Sequence, residues 1–383
     1  MEEAVVFRCE TCGSVMEFDA TAQMLTCPSC GASKEIAHHE EMVVEHSLTL
    51  DAKRKIKVEE KTTTTIQCSG CGAKIEVEQF DAAVECPYCG SSYVLAREQQ
   101  ETLIPDGVVP FYIDRQKVKE LFGHWIKKRW FAPNELKTLY QRDKFVGVYL
   151  PYWTFDAKVN CSYTGRGGIT RTEHYKDSEG KEQTRVRIDW YYVSGNMNHF
   201  FDDVAVAATK KFQNGFFKGI EPFYLKELKS YSKEYLSGYL AEQYSVDLVE
   251  GHETAREEMK QELYQMAQRE IEQRYDCSDS IQISPRFSKE TYKYILVPIY
   301  STSYHFKGKQ YTVLINGQNG KIKGEYPKSP IKIAIAVLCV ILLLFGVYLF
   351  SEAEDRRRAI AKEDAMQQTV IMMEQEYVDE IEL

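Results

Sequence analysis

Cys9-Glu-Thr-Cys12-Gly13 and Cys27-Pro-Ser-Cys30-Gly31 stand near the start of the chain, and the pattern returns as Cys68-Ser-Gly-Cys71-Gly72 and Cys86-Pro-Tyr-Cys89-Gly90. Every cysteine of the second set lies 59 positions after its counterpart in the first set. Each copy consists of two C-x2-C-G motifs with 14 residues between their cysteine pairs. This repeat decides how the first hundred residues fold.

Paired cysteines at this spacing are typical of a metal site. Two cysteines three apart can direct both thiolates at one ion when the backbone turns tightly, and the following glycine can adopt the left-handed conformation that such a turn often needs. Two such turns on facing hairpins close a tetrahedral site of four sulfurs. The spacing therefore predicts two structural Zn²⁺ ions, bound by two quartets: Cys9, Cys12, Cys27 and Cys30, and Cys68, Cys71, Cys86 and Cys89. Disulfides, a rubredoxin-like iron site and a redox C-x-x-C remain as alternatives.

The two quartets define the organisation of the N-terminal region. We predict a first zinc ribbon over residues 1–37, a charged linker over 38–63 and a second ribbon over 64–97. Each ribbon is too short to bury a hydrophobic core, so the metal is expected to supply about 10–16 kcal/mol of its folding free energy. Thiolate sites suit a reducing compartment, and the first apolar run (residues 4–7) is too short for a signal peptide, so we expect the ribbons in the cytosol.

The longest region, residues 105–328, is rich in aromatic residues, and its patterns predict a mixed α+β domain. Apolar residues at helical spacing predict helices over residues 114–130, 221–244 and 252–275. Strands are expected around Pro151-Tyr-Trp153 and over 291–326, where Asn316-Gly317 marks a hairpin turn. The glycine-rich stretch 163–168 is interpreted as a turn, and 171–193 as a hairpin. The likeness of Pro151-Tyr-Trp153 to Pro298-Ile-Tyr300 suggests two related halves.

The C-terminal part carries a candidate membrane span. Residues 331–350 contain one basic side chain, Lys332, and otherwise uncharged, mostly aliphatic residues. About 20 residues at ~1.5 Å each cover the ~30 Å hydrocarbon core of a bilayer, so we predict a transmembrane helix. A buried helix of a soluble protein is the alternative. Residues 351–383 form an acidic tail, whose apolar residues at helical spacing predict an amphipathic helix suited to a partner helix.

The basic residues beside the span do not orient it. Four precede it (Lys321, Lys323, Lys328 and Lys332) and four follow it (Arg356, Arg357, Arg358 and Lys362). The predicted thiolate sites upstream suit the reducing cytosol, so they orient the span. We expect a single-pass protein of the cytoplasmic membrane, with its N-terminal domains in the cytosol and its tail outside.

The chain resembles bacterial membrane proteins that carry an N-terminal zinc ribbon and are often labelled primosomal-helicase-like or phage-replisome-organiser-like. The matching features span roughly residues 64–350: the Cys-Pro-x-Cys-Gly motif, Pro151-Tyr-Trp-Thr-Phe155, Phe201-Asp-Asp-Val204, the tyrosine-rich segment 221–244 and Asn316-Gly-Gln-Asn-Gly-Lys321. One branch of this family in bacilli is encoded beside a phage-shock-protein-A homologue and a flotillin-like SPFH protein. The resemblance implies a membrane complex that acts in envelope stress, with those two proteins as partners.

These observations favour a non-catalytic, membrane-anchored adaptor that assembles a protein complex. No P-loop and no G-x-S-x-G motif occurs in the sequence, so we expect no enzyme activity. Nucleic-acid binding related to replication is the first alternative, and a membrane-bound enzyme of unknown class is the second. Charge argues against the first, because residues 5–37 hold two basic and four acidic residues and each four-thiolate zinc site adds two negative charges.

Overall fold

The computed structural model describes residues 4–36, 43–56, 63–67, 74–78, 81–85, 92–95, 103–135, 145–176, 178, 180–210 and 217–381. The chain divides into two compact units. Unit 1 comprises Met1–Trp125 and Tyr140–Glu325, and unit 2 comprises Ile126–Leu139 and Tyr326–Leu383.

Strands make up most of unit 1. In chain order they are β1 (Ala4–Val5), β2 (Glu17–Asp19), β3 (Met24–Thr26), β4 (Ser33–Lys34), β5 (His46–Ser47), β6 (Thr63–Gln67), β7 (Lys74–Glu78), β8 (Asp81–Glu85), β9 (Ser92–Leu95), β10 (Gly107–Val108), β11 (Val146–Lys176), β12 (Glu182–Ala207), β13 (Lys229–Ser230), β14 (Leu240–Glu242), β15 (Cys277–Phe306), β16 (Lys309–Asn316) and β17 (Ile322–Gly324). The described helices are α1 (Leu50–Lys55), α2 (Arg115–Lys127), α3 (Leu248–Glu272) and α4 (Pro330–Ile381).

The main sheet is built around β11. One edge of β11 pairs antiparallel with β15, from Val146 opposite Ser301 to Gly168 opposite Cys277. The other edge of β11 pairs with β14 near the start of β11 and with β12 along the rest of its length. β11 and β12 form a hairpin whose last pair is Lys176 and Glu182. The hairpin predicted over 171–193 is therefore present, and it is the outer end of a much longer one.

Unit 1 is mostly β, so the predicted mixed α+β domain is wrong in its proportions. Residues 221–244 were expected to form a helix, but they contain only short 3₁₀ turns (Leu225–Glu227 and Lys233–Leu236) and short strands. Gly238 has a φ of +87°, which no α-helix contains, so a helix could not run through this segment. Tyr235, Tyr239 and Tyr244 are buried in an aromatic core, whereas Tyr224 is exposed, so these tyrosines do not form a helical stripe.

Residues 163–168, interpreted as a turn, lie inside β11. Their glycines are required by close packing. A Cβ atom on Gly167 would lie 2.3 Å from the ring of Tyr275, and one on Gly168 would lie 2.7 Å from the Cys277 sulfur. A strand interior rich in glycine therefore gives the same sequence signal as a loop.

The predicted helices around α2 and α3 are confirmed. α3 begins where the Asp247 side chain accepts a hydrogen bond from Glu250 N, and its buried residues recur at helical spacing along the face that covers the sheet. Gly251 lies against the indole of Trp153, which is fully buried and donates to the Val246 carbonyl at 2.9 Å. The core beneath is aromatic, as the stacking of Phe111 on Tyr239 at 4.0 Å illustrates.

Candidate functional site

The first cysteine quartet converges at one point of the small sheet formed by β2, β3 and β4. The sulfur atoms of Cys9, Cys12, Cys27 and Cys30 all lie within 4.8 Å of one another. Cys9 lies 3.6 Å from Cys30, and Cys12 lies 3.5 Å from Cys27. One cysteine of each pair is buried and the other is exposed, so the cluster lies at the surface with its inner side against protein.

The two turns that carry these cysteines have the same backbone geometry. In the first, Gly13 N donates to Cys9 O at 2.8 Å and Cys9 N donates to Ser14 O at 2.8 Å; the second repeats both bonds eighteen residues on, at 2.9 and 2.8 Å. Gly13 and Gly31 have φ values of +76° and +77°. A Cβ atom at either glycine would meet nothing within 4 Å, so backbone conformation alone requires glycine there.

The sulfur positions fit a tetrahedral metal site. For Zn–S bonds of ~2.3 Å, the edge of a tetrahedron of sulfurs is about 3.8 Å, close to the Cys9–Cys30 and Cys12–Cys27 separations. A disulfide would need about 2.05 Å, so the geometry is not that of a disulfide. Four cysteines could therefore bind one metal ion here, and four thiolates would complete its coordination with no position open for a substrate.

The thiols are held in unequal electrostatic environments. Hydrogen bonds from the Ser14 side chain and backbone lower the pKa of Cys12 to about 6. A backbone hydrogen bond from Ala32 favours the Cys30 thiolate. The three neighbouring thiols nevertheless raise the pKa of Cys30 to about 12. A quartet this tight cannot ionise fully on its own, because each thiolate disfavours the next. A bound cation removes that conflict.

The first ribbon is fixed to the body of unit 1 through β2 and the residue before it. The Phe18 ring meets Tyr235 edge-on at 5.2 Å, and Phe18 N donates to Ser237 O at 2.9 Å. The Ser237 hydroxyl donates in turn to the Met16 carbonyl at 2.7 Å and is buried. The small sheet that carries the cysteine turns is thus attached to the body of unit 1 by ring packing and by two hydrogen bonds.

The cysteines of the second predicted quartet lie outside the described residues, but the strands beside them do not. Arg8 pairs with Val15 across the first turn, and Thr26 pairs with Ser33 across the second. Advanced by 59 positions, these pairs become Gln67–Lys74 and Glu85–Ser92, and both are paired in the structure, in β6–β7 and β8–β9. The sequence repeat therefore extends to the strand register that closes each cysteine turn.

Sequence reasoning missed a buried polar network centred on His252, which has 3% of its surface exposed. Its Nε2 lies 2.7 Å from Glu290, and its Nδ1 lies 3.0 Å from Lys53 Nζ. An ammonium can only donate, so Nδ1 accepts and Nε2 carries the proton given to Glu290. Arg256 completes the network with two bonds to Glu290, at 2.7 and 3.1 Å. The network encloses the imidazole and joins α1, α3 and β15.

A second buried network involves Phe201-Asp-Asp-Val204. Asp203, at a φ of +52°, lies within a register shift of the β11–β12 pairing, and its backbone N–H donates to Asp156 at 2.7 Å. The Lys293 side chain is 7% exposed and forms two ion pairs, with Asp203 at 2.6 Å and with Glu45 at 3.2 Å. The contact with Asp203 lacks the alignment of a hydrogen bond. The adjacent carboxylates of this motif therefore have a structural role, because Asp203 faces a buried lysine and Asp202 faces solvent.

The apolar C-terminal segment is a helix that could cross a membrane. Residues Pro330–Glu354 meet the length and composition of a span, and none of its most apolar window is buried in protein. At ~1.5 Å per residue the 25 residues extend about 37 Å, enough for the ~30 Å bilayer core with some tilt. The helical backbone continues without a break to Ile381, through the predicted tail, whose side chains beyond residue 357 lie outside the described set.

Comparison with known proteins gives one informative similarity. YdjG of Bacillus subtilis (strain 168), an uncharacterized protein, is 26% identical over 333 residues, which cover 86% of this chain and 92% of YdjG. No family model matches the chain, and no solved structure matches it. The similarity extends over nearly the whole of both chains and assigns no ligand, activity or partner.

Proposed function

We propose that this protein is a non-catalytic adaptor, anchored in the cytoplasmic membrane by α4, with two zinc ribbons in the cytosol. The observation that carries the proposal is the complete exposure of the apolar surface of α4: Leu343, Val347 and Phe350 are each more than 60% exposed. An aliphatic surface of this length is stable in lipid and not in water. The resemblance noted above adds the expectation of a complex in envelope stress.

Zinc is the metal that this chemistry favours. Four thiolates in a tetrahedron suit Zn²⁺, which has no redox activity and no geometric preference of its own. The equal strand register of the two cysteine repeats supports one ion in each, although only the first quartet lies in the described region. Both ions would be structural, because four protein ligands leave no site for a reactant.

A protein-binding surface is available on the outer part of the β11–β12 hairpin. We name residues 169–176 and 180–192 the arm. One face of the arm carries an apolar stripe of Val186, Ile188, Trp190 and Tyr192, which are 67, 40, 39 and 93% exposed. The opposite face carries cross-strand ion pairs, such as Arg185 with Glu173 at 2.8 Å and Arg171 with Asp189 at 3.0 Å. An exposed apolar stripe beside an ordered charged face supports a protein partner.

Nucleic-acid binding is less well supported. Phosphate contacts require arginine and lysine, but of the two basic residues of the first ribbon, Lys34 pairs with Glu10 at 3.3 Å and Arg8 donates to the Gly13 carbonyl at 3.3 Å. Two negative charges from each four-thiolate zinc site would add to the acidic surface.

Three measurements on the full chain test the proposal. Elemental analysis is expected to find two zinc ions per chain, one in Cys12→Ser and two in the control Cys277→Ser. In intact cells, a cysteine at Ser351 should react with a membrane-impermeant maleimide, in a background where Cys161, Cys277 and Cys339 are serine. Labelling only after lysis would contradict the proposed topology, and the absence of zinc would contradict the metal assignment.

The adaptor role is tested by photocrosslinking from neighbouring positions on opposite faces of the arm. A photoreactive amino acid at Ile188 should capture a protein partner, and one at Arg187, on the charged face, should capture much less. The flotillin-like and phage-shock-A-like proteins implied by the resemblance are the first candidates to identify among the products. Equal capture at both positions, or none at Ile188, would mean that the apolar stripe is not the binding surface.

A further inference from the structure

A segment far from α4 in sequence is bound to its first turn. Within unit 2, Ser329 N donates to the Phe131 carbonyl at 2.7 Å, directly before α4 begins at Pro330. The Lys332 ammonium donates to the Ala132 carbonyl and to Asn134 Oδ1, both at 2.8 Å. These three bonds fix residues 131–134 at the level where α4 becomes apolar.

The residues just before this attachment combine basic and aromatic side chains. Lys127, Lys128 and Trp130 are exposed, Trp130 by 55%, and its ring meets that of Phe131 edge-on at 5.1 Å. The Arg129 guanidinium lies 5.6 Å from the centre of the Tyr326 ring, which gives a second contact between the two segments of unit 2. We name Lys127, Lys128, Arg129 and Trp130 the interface patch.

We propose that the interface patch is a second membrane contact, which places Trp130 in the headgroup layer and the two lysines on the phosphates of anionic lipids. This inference rests on the proposed membrane anchoring by α4. Tryptophan is enriched at the membrane–water boundary because its ring is apolar and its N–H is polar, and lysine and arginine attract anionic lipids within about a Debye length. A side chain can reach the headgroups only if it lies at the level where the span ends. The bonds at Ser329 and Lys332 hold the interface patch at that level.

The patch also changes the charge balance across α4. Along the sequence, the two flanks carry equal numbers of basic residues. In unit 2, however, residues 126–135 and 326–332 together carry five basic residues and one acidic residue, whereas residues 351–362 carry four basic and three acidic residues. On the far side Arg356 is also paired with Glu352 at 2.6 Å. The more positive end would face the cytoplasmic leaflet, whose anionic lipids make it negative.

The test is tryptophan quenching by lipids brominated near the headgroup, with the full chain reconstituted in vesicles. The chain has four tryptophans, so the part of the fluorescence due to Trp130 is the difference between the emission of the wild type and that of Trp130→Phe. We expect this part to be quenched roughly twofold more in phosphatidylcholine mixed with phosphatidylglycerol than in phosphatidylcholine alone. Lys127→Gln/Lys128→Gln should abolish the lipid dependence. The matched control, Arg357→Gln/Arg358→Gln at the other end of the span, should retain it.

The outcomes separate the two proposals. Resistance of the chain to carbonate extraction together with an unquenched Trp130 would overturn the interface contact and leave the membrane anchor intact. Equal quenching in both lipid mixtures, or an equal effect of the lysine and arginine substitutions, would overturn the assignment of Lys127 and Lys128 to anionic headgroups. A chain released by carbonate would overturn both the anchor and the contact that rests on it.

Discussion

Replacing Lys293 by methionine removes a buried cation from a group of carboxylates. Methionine keeps most of the length and apolar volume of the lysine side chain, so the change isolates its charge. In the wild type, burial opposes ionisation of Lys293, but the close negative charge of Asp203, with that of Asp156, prevails and raises the pKa of Lys293. The lysine is therefore charged throughout the physiological range, and the variant leaves Asp203 and Glu45 without the cation that pairs with them.

The magnitude follows from how far water reaches each partner. Removing one member of a buried ion pair costs about 3–5 kcal/mol, because the charge that remains is buried and uncompensated. Asp203 is 26% exposed and Glu45 is 48% exposed, so water recovers part of this loss. We therefore expect a loss of about 3 kcal/mol in the free energy of unfolding, the lower end of that range.

Lys210 offers a matched control. It pairs with Glu250 at 2.9 Å, but the two side chains are 62 and 51% exposed. Lys210→Met should cost no more than about 1 kcal/mol. Both variants are measured in the full chain in mild detergent, by urea unfolding followed through tryptophan fluorescence. Asp203→Asn should restore part of the stability lost in Lys293→Met. Equal losses for the two lysine variants would refute the argument that burial sets the cost.

Two further predictions concern the His252 network and the cysteine turns. Burial raises the pKa of Glu290, but hydrogen bonds from His252 and Arg256 outweigh this effect and lower that pKa from 4.5 to about 2. The ionised Glu290 therefore stabilises the fold fully above pH 4.5, and this stabilisation is lost as the pH falls towards 2. Glu290→Gln should flatten this part of the stability curve, measured by unfolding at several acidic pH values; an unchanged curve would exclude Glu290 as its source. Gly31→Ala should weaken zinc binding roughly tenfold in a chelator competition, because alanine at this φ costs about 1–2 kcal/mol. Gly180→Ala, also at positive φ with open space around it but in the arm, should leave zinc affinity unchanged, and an equal loss there would contradict the local cause.

The sequence predicted well wherever a feature depends on local periodicity or spacing. The Cys9 quartet converges as its spacing requires, and α2, α3 and the Asn316-Gly317 turn lie where local patterns placed them. The prediction failed where long-range packing overrides the local signal. Segment 221–244 is not a helix. The glycines near Gly167 lie in a strand because side chains distant in sequence, such as the ring of Tyr275, occupy the space where a Cβ atom would be.

Two properties of this protein are determined by the sequence alone: the paired cysteine turns and the apolar C-terminal helix. Both depend on short-range geometry, the reach of two thiolates three residues apart and the length of an uninterrupted apolar segment. Only the tertiary structure decided the long strands β11, β12 and β15, the pairing of Lys293 with Asp203, and the meeting of residues 131–134 with Ser329 and Lys332. Apart from the β11–β12 hairpin, each of these contacts joins residues 90 or more positions apart in the sequence. No local pattern encodes such contacts, because burial and charge pairing are settled only when the whole sheet assembles.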